Sequence, residues 1–223
     1  MECTEKTASE KAEPLVSSRG EGGRSAASRA QILASAAKLF REQGYVATTL
    51  RQIATEAGIQ AGSIYYHFAS KDDILIEVLD AGIASVSNAV RARVANLPPT
   101  ATHRERIRAA VLGHLLGLLR HGDFSSASIR TYGQISVALK KRHRPIREDY
   151  ARLWDEMIEN AQKAGEIRAD IPAKTMRLYL LGSLNWTVEW FNPRRGGVQA
   201  LSENICDLVF DGISPEAGPL MKC

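Results

Sequence analysis

At 223 residues the chain can bury a real core, as one large domain or two small ones, and its formal net charge of +4 permits a nucleic-acid partner without requiring one. Aromatic content is low at 6 %, β-branched runs are few, and Ala, Leu, Arg and Glu are plentiful, which favours helix. No apolar run is long enough to span a bilayer, no signal peptide is recognisable, and Cys3, Cys206 and Cys223 lack metal-ligand spacing, so a soluble cytoplasmic protein without cofactor or metal is expected.

Residues 1–27 are rich in Ser, Gly, Glu and Ala and read as a disordered arm. Helical periodicity begins near Ser28, where Ile32, Leu33, Ala36, Ala37, Leu39 and Phe40 form one stripe that Gly44 ends. Thr49-Leu50-Arg51-Gln52 fits a capping box opening a short helix that stops at Ala57-Gly58. A third short helix is expected over about 61–67. A long fourth begins at Ser70, whose side chain can cap it, with Asp72 and Asp73 favourable to its N-terminal dipole. Further helices are expected at about 102–120, 126–140, 145–164, 172–191 and 197–212. Pro145 and Pro172 suit first helical turns, Asp170 is a plausible cap, and Gly122, Gly165 and Gly196-Gly197 mark breaks. The expected fold is all-α. Its parts are an arm (1–27), a three-helix head (28–72), a larger helical domain (73–214) and a flexible tail (215–223). Basic charge is concentrated in residues 28–71 and 100–150, with net excesses of three and six.

The short helices at 49–57 and 61–67 are joined by the turn Gly58-Ile59-Gln60, with Ile53, Ala54, Ile59 and Ile64 placed to pack between them. This is a helix-turn-helix layout, in which the second helix enters the major groove by its N-terminal end. That end reads Ala61-Gly62-Ser63. Small residues admit close approach, and Ser63 can meet a base edge or a phosphate. Tyr65, Tyr66 and His67 follow, and Lys71 stands at the next helix start, where ammonium and helix amides can both meet phosphate. Two short helices around a glycine also occur in all-α proteins that never touch DNA, so the layout by itself leaves that reading open.

The string Thr48-Thr49-Leu50-Arg51-Gln52-Ile53-Ala54, Glu56-Ala57-Gly58-Ile59, Gly62-Ser63-Ile64-Tyr65-Tyr66-His67-Phe68 and Ser70-Lys71-Asp72-Asp73-Ile74-Leu75 resembles the signature of the TetR family of bacterial transcriptional regulators. Ala36-Ala37-Lys38-Leu39-Phe40 and Gly44-Tyr45 match the same family's first helix, so the likeness spans about residues 28–80. It implies DNA contacts from Thr49, Arg51, Gly62, Ser63, Tyr65, Tyr66, His67 and Lys71, with Ile64 and Phe68 in the core. Ala61 is small where some relatives carry a base-reading side chain. The resemblance also implies a repressor that holds a palindromic double-stranded DNA operator as a homodimer and is released by a small molecule. The alternative is an architectural DNA-binding protein of low specificity without ligand control.

Two apolar stripes are candidates for the dimer contact: Leu180, Leu181, Leu184 and Val188, and Val198, Leu201, Ile205, Leu208 and Val209. An intrachain core is the other reading of both. Tyr132, Trp154, Met157, Trp186 and Trp190 are the candidate ligand-binding residues, with Phe191 beside them. Trp190-Phe191-Asn192-Pro193 followed by Gly196-Gly197 resembles the end of the penultimate helix in relatives that respond to acyl-CoA thioesters, which implies a largely apolar effector of that kind. Glu189 departs from this pattern, since an anionic thioester prefers a cation there. Lys140-Lys141-Arg142-His143-Arg144 could hold coenzyme A phosphates or be a solvated basic loop. An enzyme is not expected: no nucleophile elbow, phosphate-cradling glycine loop or metal motif occurs, and His114 and His121 read as surface or core.

Overall fold

The computed structural model describes residues 19–120, 122–194 and 196–211, and among these there is no strand. In chain order the helices are α1 (Arg19–Gln43), α2 (Leu50–Glu56), a 3-10 helix (Ala61–Tyr66), α3 (Lys71–Ala95), α4 (His103–Arg120), α5 (Gly122–Thr131), α6 (Val137–Lys163), α7 (Ala173–Trp190) and α8 (Val198–Phe210). The expected all-α architecture, a helix-turn-helix head followed by a larger helical domain, is what the chain adopts. No helix among the described residues is long and apolar enough to cross a membrane.

The head forms where its sequence signals lie. Ile32, Ala36, Ala37 and Phe40 are fully buried, and α1 ends at Gly44, whose φ of +83° is the left-handed conformation glycine tolerates. The capping box at α2 is complete: Thr49 Oγ1 accepts from the Gln52 N–H at 3.2 Å and the Thr49 N–H donates to Gln52 Oε1 at 2.8 Å. Ser70 caps α3 through the Asp73 N–H. The expected helix at 61–67 is a 3-10 turn, with Ser63 N–H donating to Gln60 O and His67 N–H to Ile64 O. A segment this short, carrying Gly62 and Ser63, has little α preference, and 3-10 geometry is used in such short pieces.

Four expectations need correcting. α1 starts at Arg19, ahead of Ser28; residues 1–18 and the tail at 215–223 lie outside the described residues. The helix expected at 126–140 is broken, because α5 stops at Thr131 and Ser136 starts α6 by accepting from the Leu139 N–H. α6 then runs straight through Pro145. That residue is exposed, so the carbonyl whose partner is missing faces water and the helix continues. Asp170 does not cap α7. Its carboxylate pairs with Arg168, and Pro172 holds the cap position.

Two apolar cores result. One joins the head to the start of α3 and to Ala127 of α5, Ile135 of the following turn and Leu139 of α6; the other fills the larger domain around Leu115, Trp154 and Leu184. α3 belongs to both. It lies against α4 at two glycines: a Cβ at Gly113 would stand 2.8 Å from Val90 Cα, and one at Gly117 2.8 Å from Val86 Cα. Their absence of side chain is what lets the two backbones approach.

Candidate nucleic-acid interface and ligand cavity

Ile64 and Phe68 are buried in the head, and that burial turns the rest of the 3-10 segment outward. Tyr65 and Tyr66 are 64 % and 89 % exposed, large aromatic surfaces that the fold leaves uncovered. Gly62 is exposed, and a Cβ there would meet nothing within 4 Å. Nothing inside the fold asks for glycine at this position, whereas close approach of a DNA backbone would. Ser63 and His67 are half-buried beside it, and Thr49 and Arg51 are exposed at the start of α2.

Lys71 is less available than its position suggests. Its Nζ donates to Tyr45 O at 2.9 Å and Thr48 O at 2.7 Å, and lies 4.3 Å from the Tyr45 ring centroid. Two of the three N–H donors therefore tie the α1–α2 turn to the start of α3, leaving one for a phosphate. Desolvation in this site lowers the Lys71 pKa from its ordinary value. The Tyr45 hydroxyl donates to Asp72, and burial together with this bond raises the phenol pKa. Sequence reading missed this cluster because Tyr45 and Asp72 meet only after the head has folded.

Much of the head's basic charge is compensated within the fold. Lys38 pairs with Glu56, Arg41 with Glu42 and Asp123, and Arg29 with Glu77 while lying over the Phe68 ring. Arg51 has no carboxylate within 4.0 Å among the described residues, which leaves it as an exposed cation at the start of α2.

The larger domain contains a cavity of about 320 Å³ bounded by α3, α4, α5, α6 and α7. Ile83, Val86, Leu118, Ile129 and Leu181 supply apolar wall. A polar chain crosses it: the Tyr150 hydroxyl donates to His114 Nδ1 at 2.8 Å, and His114 Nε2–H donates to Asn185 Oδ1 at 3.2 Å. Complete burial pushes the His114 pKa down to about 4, so the ring is neutral at physiological pH. Burial also raises the Tyr150 phenol pKa. Arg147 lines the cavity with its guanidinium 3.9 Å from the Tyr132 ring centroid, and Arg177 lines it while bound to Asp155 at 2.7 Å.

The five sequence-predicted ligand residues do not converge on this space. Tyr132 lines it. Trp154 is fully buried and stands edge-on behind His114 and Tyr150, and Met157 packs in the same core. Trp186 and Trp190 are 60 % and 55 % exposed on the outer face of α7. Glu189 is also outside the cavity and receives both Arg130 donors, at 3.1 and 2.7 Å, so its charge is answered locally. The basic run 140–144 is the first turns of α6 rather than a loop: Arg142 pairs with Asp73, Arg144 with Glu148, and buried His143 with Asp80. His114, expected to be surface or core, is buried in the cavity wall. Its only sequence signal was an imidazole in the middle of the apolar stretch 111–119.

Residues 32–78 match the family described as "Bacterial regulatory proteins, tetR family", and residues 100–213 match "Tetracyclin repressor-like, C-terminal domain". The HTH-type transcriptional repressor KstR2 of Rhodococcus jostii (strain RHA1) is 28 % identical over 209 residues, 90 % of this chain and 96 % of that one. A crystal structure of the transcriptional regulator FadR from Bacillus subtilis in complex with stearoyl-CoA shares the fold with a TM-score of 0.69 at 23 % identity, over 83 % of this chain and 99 % of that one. So does AibR in complex with isovaleryl coenzyme A and operator DNA, with a TM-score of 0.71 at 22 % identity over 82 % and 98 %.

Proposed function

Because this chain belongs to the TetR family of bacterial regulators, we propose that it is a cytoplasmic repressor that grips a palindromic operator as a homodimer and is released when a coenzyme A thioester enters the cavity. The observation that carries this reading is the double role of α3. Its first turn holds the head through Lys71 and Asp72, and about three to four turns later Gly82, Ile83 and Val86 line the cavity. Anything that moves this helix moves the head. A ligand can do so only if it binds the displaced state more tightly than the DNA-competent one. The relatives crystallised with stearoyl-CoA and isovaleryl coenzyme A support a thioester as that ligand, and Arg147 at the cavity supports an anionic group beside it.

The dimer is supported by an exposed apolar band that keeps Leu208 and Val209 of the α8 stripe but not the α7 stripe. Leu180 and Leu184 are buried in the chain's own core, Leu181 lines the cavity and Val188 packs inward. The opposite side of α7 exposes Leu178, Tyr179, Trp186 and Trp190, and α8 adds Leu208 and Val209. Such a patch marks an interaction surface, and two heads about 34–36 Å apart need two chains.

The test is operator binding on a duplex selected from random sequence, with unrelated duplex as competitor, alone and with acyl-CoAs of graded length. Release by a thioester is expected. Binding no tighter than to unrelated DNA would favour the architectural alternative.

A further inference from the structure

The effector cavity carries donors that no described residue uses. Ser125 is 3 % exposed and lines the cavity, yet its Oγ has no hydrogen-bond partner among the described residues. Asn185 accepts from His114 through Oδ1, which leaves both Nδ2–H donors available at the cavity wall. Ser128, 9 % exposed, lines the same wall one helical turn from Ser125. Buried polar groups without partners are rare, and such a group beside a cavity points to something that enters and pairs with it. A plain hydrocarbon chain there would desolvate these groups and pair with none of them.

The charge balance narrows the chemistry. His114 stays neutral at physiological pH, and the Arg177 guanidinium is already bound to Asp155. Only Arg147, beside Tyr132, is a cation without a carboxylate within 4.0 Å among the described cavity residues. The wall formed by Ser125, Ser128, His114 and Asn185 is therefore uncharged and rich in donors, while the one available cation comes from α6. The volume of about 320 Å³ lies at the low end of the roughly 300–1,000 Å³ found for ligand pockets, which fits a compact group.

We propose that the acyl group entering this cavity is compact and carries a neutral oxygen function, a carbonyl or a hydroxyl, which accepts hydrogen bonds from Ser125 and Asn185, so that oxygenated thioesters are the effectors and unmodified fatty-acyl chains are poor ones. This rests on the thioester reading above. No covalent step is involved. Selectivity arises because a site built to pair with a substrate oxygen leaves its own polar groups unpaired when the oxygen is missing.

The experiment compares octanoyl-CoA with 3-oxooctanoyl-CoA and 8-hydroxyoctanoyl-CoA by calorimetry on the full chain, repeated on Ser125→Ala, Asn185→Leu and Arg147→Gln. At least one oxygenated member is expected to bind about tenfold or more tightly than octanoyl-CoA. Ser125→Ala or Asn185→Leu should erase that preference while octanoyl-CoA binding holds or improves; Arg147→Gln should weaken all three by a similar factor. A variant that loses affinity equally for all three through a folding defect would be recognised by its circular dichroism, and the wild-type ratio still decides. Octanoyl-CoA binding as tightly as both oxygenated members overturns the inference and leaves the thioester reading standing. No binding of any member overturns the thioester reading itself, and the inference with it.

Discussion

The head and the effector domain solve the problem of burying polar groups in opposite ways. In the head the buried side chains are almost all apolar, and the one fully buried hydroxyl, on Thr48, donates to Gly44 O at 2.8 Å. Its other polar work is done by caps at Thr49 and Ser70 and by the part-buried cluster of Lys71, Tyr45 and Asp72, whose groups pair with one another or with backbone carbonyls. The larger domain instead buries His114, Ser125 and Ser128 in the wall of a cavity, and Thr131 and Thr187 elsewhere in its helices. The first arrangement suits the rigid unit that the proposed operator binding requires. The second leaves unmet hydrogen-bonding capacity at Ser125 and Thr131, and the proposed ligand binding would draw on the first of these.

The contrast is sharpest in acid. His114 has a folded-state pKa of about 4 against 6.5 for the exposed ring, so between those values the unfolded chain binds more protons than the folded one. Its contribution is present above about pH 6.5 and lost as the pH falls toward 4, by up to about 3 kcal/mol. Urea unfolding followed by tryptophan emission should show this loss, and His114→Gln should flatten it. All three tryptophans lie between residues 154 and 190, so the signal comes from the effector domain. An unchanged pH slope in the variant would mean that another group sets the acid limit.

Next in size is the α3–α4 contact. Gly117→Ala would drive a methyl to within 2.8 Å of Val86 Cα, a backbone atom that no rotamer change can clear. Overpacking of this kind costs about 1–3 kcal/mol. Because α3 carries the head, operator affinity should fall further than the loss of stability explains. A variant with wild-type melting temperature and affinity would show that α3 can shift freely, and would remove the basis for transmission along it.

A change confined to the head should behave more simply. Thr49→Ala removes the capping oxygen of α2 and should cost about 1 kcal/mol. Thermal unfolding should register that loss, while thioester affinity, measured on the folded protein, should not change. Altered thioester affinity would mean that the two regions are not separable.

The same contrast explains what could be read from sequence. Every signal that builds the head is local: the capping box at 49–52, the left-handed Gly58, the alternation that buries Ile64 and exposes Tyr65. The cavity draws on residues from Gly82 to Asn185 across five helices, and no spacing rule joins them. On α7, apolar side chains at 178–181, 184, 186, 188 and 190 cover most of the circumference. Periodicity there cannot say that Leu184 faces inward and Trp186 outward. The three tryptophans are core or outer surface, and of the aromatic candidates only Tyr132 lines the cavity. The donors at Ser125 and Asn185 are residue types that look ordinary on any helix.

The smallest expected effect on stability bears most directly on how the two regions communicate. Arg142 reaches from α6 to Asp73 on the first turn of α3 at 2.7 Å, and His143 on the next residue binds Asp80 at 2.6 Å. Arg147, Tyr150 and Ala151, farther along α6, line the cavity. A ligand that displaces α6 therefore pulls on α3 at two carboxylates near the head. Hydrogen bonds from Ser70 and Arg142 lower the Asp73 pKa, which keeps this carboxylate ionised. The Arg142 side chain is half exposed, so the pair contributes well under about 1 kcal/mol to folding, and Arg142→Ala should barely move the melting temperature. Operator affinity in the absence of ligand should be close to wild type. What should fall is the factor by which a thioester weakens operator binding, since typical coupling energies of about 1–3 kcal/mol are carried by contacts of this kind. Fluorescence anisotropy on labelled operator, with and without saturating thioester, measures both quantities in one titration series. If Arg142→Ala retains the full release factor, the pair is a surface ion pair without a part in transmission, and His143 with Asp80 and Arg91 with Asp149 are left as the other polar links between α6 and α3.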